Sequence, residues 1–290
     1  MNDAKTTLRL LAAATIGLTV SAAASAAAMT VYANNGAPGD TFTNAGTADA
    51  FQAVGATGWY YGSVRNGGSI GVNTANPQSG NASVAMSGNA GPGGNSSKAD
   101  IVYGSVASMG AFSSFTGMSY DWYRNGTSTN ASSQHPSLRI LLDRDGNLNT
   151  TADRGSLIFE AVYNGKLVAD TDKWVSSSIG STTKLWNTGF GGDMGFAYDL
   201  DQNGYAYDST LAQWKNSAQL ANALIIGFSS GFGSGWGPFS GAVDNISWTI
   251  GEATTTTNFE VQASAVPEPG TLALVGLSLA GLAVIRRRKS

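Results

Sequence analysis

Met118-Ser-Tyr-Asp-Trp-Tyr-Arg124 sets Met118, Tyr120 and Trp122 on one side of the chain and Ser119, Asp121 and Tyr123 on the other. A period of two marks a β-strand with one face buried, because successive side chains of an extended chain point to opposite faces. The alternation returns downstream. Leu138, Ile140 and Leu142 repeat it after His135-Pro136, and Leu157, Phe159, Ala161 and Tyr163 repeat it again with Glu160 facing the other way. Asn164-Gly165 then marks a tight turn. Two more strands fall at Ala223 to Ser229 and at Ala242 to Ile250, the latter with Asp244, Ile246, Trp248 and Ile250 on one face. Upstream, weaker strands at Trp59-Tyr60-Tyr61, Ser69 to Val72, Ala82 to Met86 and Ala99 to Tyr103 lie between Gly, Asn and Pro turns, and Gly88 to Ser97 reads as a loop. Only Leu211, Trp214 and Ala218 have helical spacing. No repeat period is visible, which argues against solenoids and propellers. Many short alternating strands with little helix predict an all-β chain, an antiparallel β-sandwich of jelly-roll type. Its expected core includes Tyr120, Trp122, Leu138, Ile140, Phe159, Ile246 and Trp248.

The two ends read differently. Lys5 and Arg9 precede an apolar, Ala-rich run from Leu10 to about Val20, and Ser21 to Ala28 is a string of small residues. That is the pattern of a secretory signal peptide, with cleavage expected after about Ala26 or Ala28. At the other end, Val266-Pro-Glu-Pro-Gly270 can continue neither a helix nor a central strand, since two prolines fix φ and remove two donors. Thr271 to Ile285 is uncharged and mostly apolar, and Arg286-Arg287-Arg288-Lys289 follows. As a helix this stretch spans roughly 22 Å, short of a hydrocarbon core of about 30 Å, and the long basic side chains can snorkel to make up the difference. The basic cluster holds that end on the cytoplasmic side. The expected divisions are therefore a signal peptide at 1–28, a β-sandwich domain at 29–265 and a membrane-seeking tail at 266–290.

Pro267-Glu268-Pro269, a short apolar helix, and Arg286, Arg287 and Arg288 in that order resemble the PEP-CTERM sorting signal of Gram-negative bacteria. The resemblance implies recognition of the tail by a membrane enzyme, an exosortase, and its removal near the tripeptide. It further implies delivery of the body to the cell surface or an extracellular polysaccharide matrix. The membrane would then be met only through the tail, and a permanent anchor is the alternative. A weaker resemblance lies in Gly231-Phe-Gly-Ser-Gly-Trp-Gly-Pro-Phe-Ser-Gly-Ala-Val-Asp-Asn-Ile246, a glycine-rich loop entering an aromatic strand. It is similar to the closing strand of jelly-roll carbohydrate-binding and concanavalin-like modules. Asp121 to Arg124 and Leu138 to Gly165 resemble other PEP-CTERM bodies of unassigned function.

Without the two end segments the body keeps ten basic residues against seventeen acidic, about −7. Nucleic acid needs a basic footprint, so it is not an expected partner. There is no cysteine, hence no disulfide and no thiol chemistry. The 38 glycines accompany aromatic residues spread along the body, which argues for turns between strands rather than disorder.

Catalytic material is scarce. His135 is the sole histidine and sits in a Ser/Gln/Pro stretch without a Gly-x-Ser-x-Gly elbow elsewhere, so it reads as a surface-loop residue. One imidazole and no thiolate is too poor a set for zinc. The enzyme alternative is a glycan-acting hydrolase or lyase on a concanavalin-like sandwich, with a split carboxylate pair such as Asp121 and Glu160. Calcium fits the residues better. Asp199, Asp201, Asn203, Gly204 and Tyr205 follow the first half of an EF-hand-type loop, although Thr210 stands where the bidentate glutamate belongs, leaving Asp208 to complete the set. Asp143, Asp145 and Asn147 offer alternating oxygens in a second loop that runs to Asp153, with Gly146 two positions early. The competing reading is that Asp, Asn and Gly simply suit turns. Trp59, Tyr60, Tyr61, Trp174, Trp186 and Trp236 lie in turn-rich contexts, and of these Trp59 and Trp236 are the expected glycan contacts, against satellite core packing as the alternative.

The whole predicts an exported, non-enzymatic surface or matrix protein, structural or adhesive, with weak glycan binding. The mature protein is expected to begin near Ala27 to Met29 and to end near Val266 to Pro269. Mass spectrometry of envelope and secreted fractions checks both ends, and recovery of Arg286 to Lys289 on most extracellular protein would indicate a permanent anchor.

Overall fold

The computed structural model describes residues 26–89, 97–104, 107–191 and 198–262. The sorting tail, most of the predicted leader and most of the loop expected at Gly88 to Ser97 lie outside the described residues. Two eight-stranded sheets pack face to face. The first holds β1 (Ala26–Tyr32), β2 (Phe42–Asn44), β5 (Gly68–Asn73), β6 (Ser83–Gly88), β9 (Phe115–Arg124), β12 (Trp174–Ile179), β15 (Phe239–Ile250) and β16 (Ala253–Glu260). The second holds β3 (Ala50–Ala53), β4 (Trp59–Arg65), β7 (Lys98–Gly104), β8 (Gly110–Ala111), β10 (Ser137–Asp143), β11 (Arg154–Phe159), β13 (Trp186–Gly189) and β14 (Leu224–Phe232). Strand order in the second sheet is β13-β11-β10-β14-β7-β4-β3, with β8 on the end of β14. In the first, β15 is the spine. One of its edges pairs with β9, which carries β12, and the other pairs first with β6 and then with β16.

The two-sheet sandwich expected from the alternating segments is present, with one departure from a wholly antiparallel scheme. β1 lies parallel to β16, Ala26 opposite Thr254 through to Tyr32 opposite Glu260, so β1 begins inside the segment expected to be removed as leader. β16 itself escaped the sequence reading because its threonine run shows no alternation. Residues Ala161 to Asn164 form a 3-10 helix rather than continuing a strand. Pairing of β11 with β10 ends at Phe159 opposite Leu138, and Gly165 at φ 89° then turns the chain in the left-handed region. The one α-helix among the described residues, α1 (Leu211–Asn216), starts in a capping box. Thr210 accepts from the Gln213 backbone and the Gln213 side chain accepts from the Thr210 backbone.

All seven expected core residues are buried. The packing centres on Trp248 of the first sheet. Phe228 of the second stacks on it at 4.7 Å, and Tyr103 and Trp59 lie 5.1 and 6.1 Å away. Rings of this size bury about 150–250 Å² each, and offset pairs add about 0.5–1.5 kcal/mol beyond burial.

His135 is not a surface-loop residue. It is 3 % exposed, and its ring stacks on Trp122 with centroids 3.9 Å apart and planes 10° from parallel. The imidazole covers a flat face of the buried Trp122 ring. Nδ1 meets the Pro136 carbonyl at 3.1 Å, while Nε2 is sealed from solvent without a partner. Burial pushes the imidazole down to about 4, against the hydrogen bond to Pro136. A histidine held neutral in the fold leaves the unfolded chain binding more protons between its ordinary value and the depressed one. Stability is therefore complete above about pH 6.5 and falls as pH drops towards 4. The fall is on the order of 3 kcal/mol at most. Denaturant unfolding from pH 7 to 4.5 should show a flatter pH dependence for His135→Gln than for the wild type.

Candidate functional site

The outer face of the second sheet carries a groove of about 260 Å³ across β13, β11, β10 and β7. Its floor comes from positions that alternate with core residues. Arg139 lies between buried Leu138 and Ile140, and Glu160 follows buried Phe159. Arg139 Nη1 donates to Asp100 Oδ1 at 2.6 Å, and Lys98 pairs with the other oxygen of the same carboxylate. Asp100 is 4 % exposed. Burial would raise its carboxyl, but Arg139 and Lys98 outweigh that and hold it below the ordinary range. Burial pulls the Lys98 ammonium down to about 8, with Asp100 resisting. The Glu160 carboxyl is pushed up by burial, against the Arg139 guanidinium. Room for this triad depends on Gly231. A Cβ there would come within 2.2 Å of Asp100 Oδ1 and 2.3 Å of the Ala99 carbonyl.

Trp186 and Trp236 wall the groove. Trp186 meets Tyr207 at 5.8 Å, and Tyr207 stacks on Tyr163 at 4.7 Å with Tyr205 alongside at 5.6 Å. The Asp199 to Asp208 loop thus sets its tyrosines against the groove's own tryptophan.

The two residues expected to touch glycan fare differently. Trp59 is fully buried in β4 between Trp248 and Phe259, with no ring face to offer. Its neighbours in sequence suggested a turn, but the alternation of β4 turns Tyr60 outward and Trp59 inward. Trp236 does reach the groove, but only marginally. It is 8 % exposed and packs edge-on against Phe239 at 5.2 Å. The aromatic with more open surface there is Trp186. Lys98, Ser137 and Arg139 were not foreseen as site residues. Their only local signal is a polar side chain alternating with core positions, and strand order alone brings β7 and β10 to one groove.

Both acidic loops bring carboxylates together. In each of Asp143, Asp145, Asp153 and Asp199, Asp201, Asp208, one oxygen per residue lies within 4.8 Å of the others. Asn147 Oδ1 accepts from the Asn149 backbone and side chain. Asp153, from the far side of the loop, lies with Asp143 and Asp145. In the second set, burial opposes the Asp199 charge, but bonds from Gly204 and Asp201 hold that carboxyl low, and Asp201, sharing the bond with Asp199, is pushed up. Asn203 braces this loop by donating to Asp201 and Asp208 while its oxygen accepts from the Tyr205 backbone. Thr210, where the bidentate glutamate would stand, caps α1.

The split pair Asp121 and Glu160 is not assembled. Asp121 faces out of the first sheet, accepting from Gln78, Asn245 and Ser176, whereas Glu160 lines the groove on the second.

Residues 265–289 match the PEP-CTERM protein-sorting motif. The motif indicates export and surface-directed sorting in Gram-negative bacteria, so the tail foreseen from Pro267 to Arg288 is the sorting signal. Comparison with curated proteins gives no match. Among solved structures, the body is similar to the family 11 carbohydrate-binding module of a cellulosomal cellulase of Clostridium thermocellum, at 13% identity and TM-score 0.37, over 70% of this chain and 95% of that one. A second structure of the family 11 module from that organism, in complex with a β-1,3-1,4-mixed-linked tetrasaccharide, is 12% identical at TM-score 0.36, over 74% and 99%.

Proposed function

We propose that this is an exported surface or matrix protein that holds extracellular polysaccharide through the groove on its second sheet. Signal peptidase would remove the leader and an exosortase the tail, leaving the sandwich at the cell surface or in the matrix of a Gram-negative cell. The observation that carries the reading is the groove's composition: a tryptophan wall beside polar groups fixed by ion pairing, Lys98 and Arg139 on Asp100, with Glu160 also in the lining. A sugar ring needs an apolar face to stack on and oriented donors and acceptors for its hydroxyls, and it needs no activated acid or base. The separation of Asp121 from Glu160 favours this binding role over hydrolysis. By analogy with aromatic pairs, each stacked ring contributes about 0.5–1.5 kcal/mol, so one groove binds weakly and many copies on one surface bind by avidity.

Calcium belongs to the same reading as a structural ion of the acidic loops. An ion bound only by the native state stabilises it by mass action, so calcium should raise Tm and a chelator should lower it in differential scanning. The glycan reading is tested by retention of the processed protein on polysaccharide from the producing cells. Trp186→Ala and Arg139→Gln should each cut retention about tenfold, the equivalent of 1.4 kcal/mol, while Tyr32→Ala, on the first sheet, should not. Unchanged retention in both groove variants would remove the groove from the binding role.

A further inference from the structure

Four aspartates are buried among the described residues: Asp40, Asp100, Asp143 and Asp244. Three have donors on both oxygens. Asp40 accepts from Asn35 on Oδ1 and from Asn34 and Tyr61 on Oδ2. Asp100 is shared by Arg139 and Lys98. Asp244 accepts from the backbones of Asn245 and Phe259 on Oδ1 and of Ser79 on Oδ2. Asp143 is the exception. It is 0 % exposed, its Oδ2 accepts from Arg154 Nε at 3.1 Å, and its Oδ1 is sealed from solvent without a partner. A buried carboxylate oxygen without a donor is costly, and evolved folds satisfy such atoms with protein, water or an ion.

We propose that Asp143, Asp145 and Asp153 hold one calcium ion that clasps the loop end of the β10–β11 hairpin. This rests on the calcium reading above and deepens it by assigning the ligands. One oxygen from each residue lies within 4.8 Å of the others, the span of two ligands on opposite sides of an ion at about 2.4 Å each. All three ligands are hard oxygens, which suits calcium rather than zinc or copper. Charge agrees: Arg154 pairs with Asp143, so of the three carboxylate charges two are left for a divalent ion. Placement gives the ion its structural role. Asp143 and Arg154 form the last pair of the β10–β11 ladder, and Asp153 precedes β11 directly. The ion would join the two strands where their hydrogen bonds stop. The Asp145 backbone already donates to Asp153 Oδ2 at 2.9 Å, which brings the two sides of the loop to the distance the ion needs.

The second acidic loop also seals oxygens without partners, Asp199 Oδ1 and Asp208 Oδ1, but it joins no pair of hydrogen-bonded strands. Its carboxylates lie on one connection, exposed or half-buried, and Asn203 cross-braces two of them. The assignment therefore predicts which variants lose calcium. The exported protein is freed of metal with chelator and titrated with calcium chloride by calorimetry, with Tm followed in parallel. Asp145→Asn, at an exposed position, and Asp153→Asn should each weaken calcium binding at one site at least tenfold and abolish most of the calcium-dependent rise in Tm. Asp201→Asn should leave calcium binding at this site, and the part of the Tm rise that depends on it, intact. Asp143→Asn is a further arm, but the exposed Asp145 keeps the test decisive if that buried variant fails to fold. Wild-type response in both Asp145→Asn and Asp153→Asn, with the response lost in Asp201→Asn, would overturn this assignment and leave calcium binding standing. Absence of any calcium heat or Tm change in the wild type would overturn both.

Discussion

The contact of Trp248 with Phe228, Tyr103 and Trp59 is the interaction on which the rest depends, because it is where the two sheets meet. A chain without cysteine cannot staple its sheets covalently, so their separation and registry rest on how these rings interdigitate. β15 carries Trp248 and also makes the backbone pairs that join both halves of the first sheet. Its course is not straight. Asn245 sits at φ 50°, and the register with β9 shifts between Asp244 and Ser247. That irregularity lets Asp244 turn inward to accept three backbone N–H groups from three segments, while Trp248 still reaches the core.

With the inner faces fixed, the outer faces are free to differ. The first sheet shows hydroxyl-bearing side chains bonded to one another, such as Thr256 to Ser247 and Thr249 to Thr254. The second shows the groove with its buried ion triad. Such a triad is costly to desolvate, and it holds only because Asp100 receives a cation on each oxygen. Lys98 and Arg139 are therefore rigid rather than free-floating charges, and a rigid polar floor is what selective recognition of hydroxyl groups needs.

Parallel pairing of β1 with β16 ties the first strand of the sandwich to the last. The chain enters and leaves at opposite ends of one strand pair on a sheet edge.

The alternation of hydrophobic residues in β9, β10 and β15 was local enough to read directly, since whether Tyr120 or Asp121 faces inward depends only on the pleat. The sorting tail was legible for the same reason: Pro267 to Pro269, the apolar run and Arg286 to Arg288 are contiguous. What escaped was everything set by distant partners. β16 has no alternation to show, and His135 looked exposed because nothing near it in sequence reveals that Trp122 lies 3.9 Å away across a loop. Trp59 was placed outside because a Trp-Tyr-Tyr run cannot reveal which ring points in. The groove needed β13, β11, β10, β14 and β7 to be laid in order, and Asp153 could meet Asp143 and Asp145 only when the hairpin closed. Sequence determined which stretches were strands, which face of each strong strand was apolar, and where the chain is addressed, because those depend on nearest neighbours. Tertiary structure decided the strand order, the buried histidine, the ion triad and the convergent aspartates, because each joins residues whose proximity costs chain entropy that only the whole core offsets.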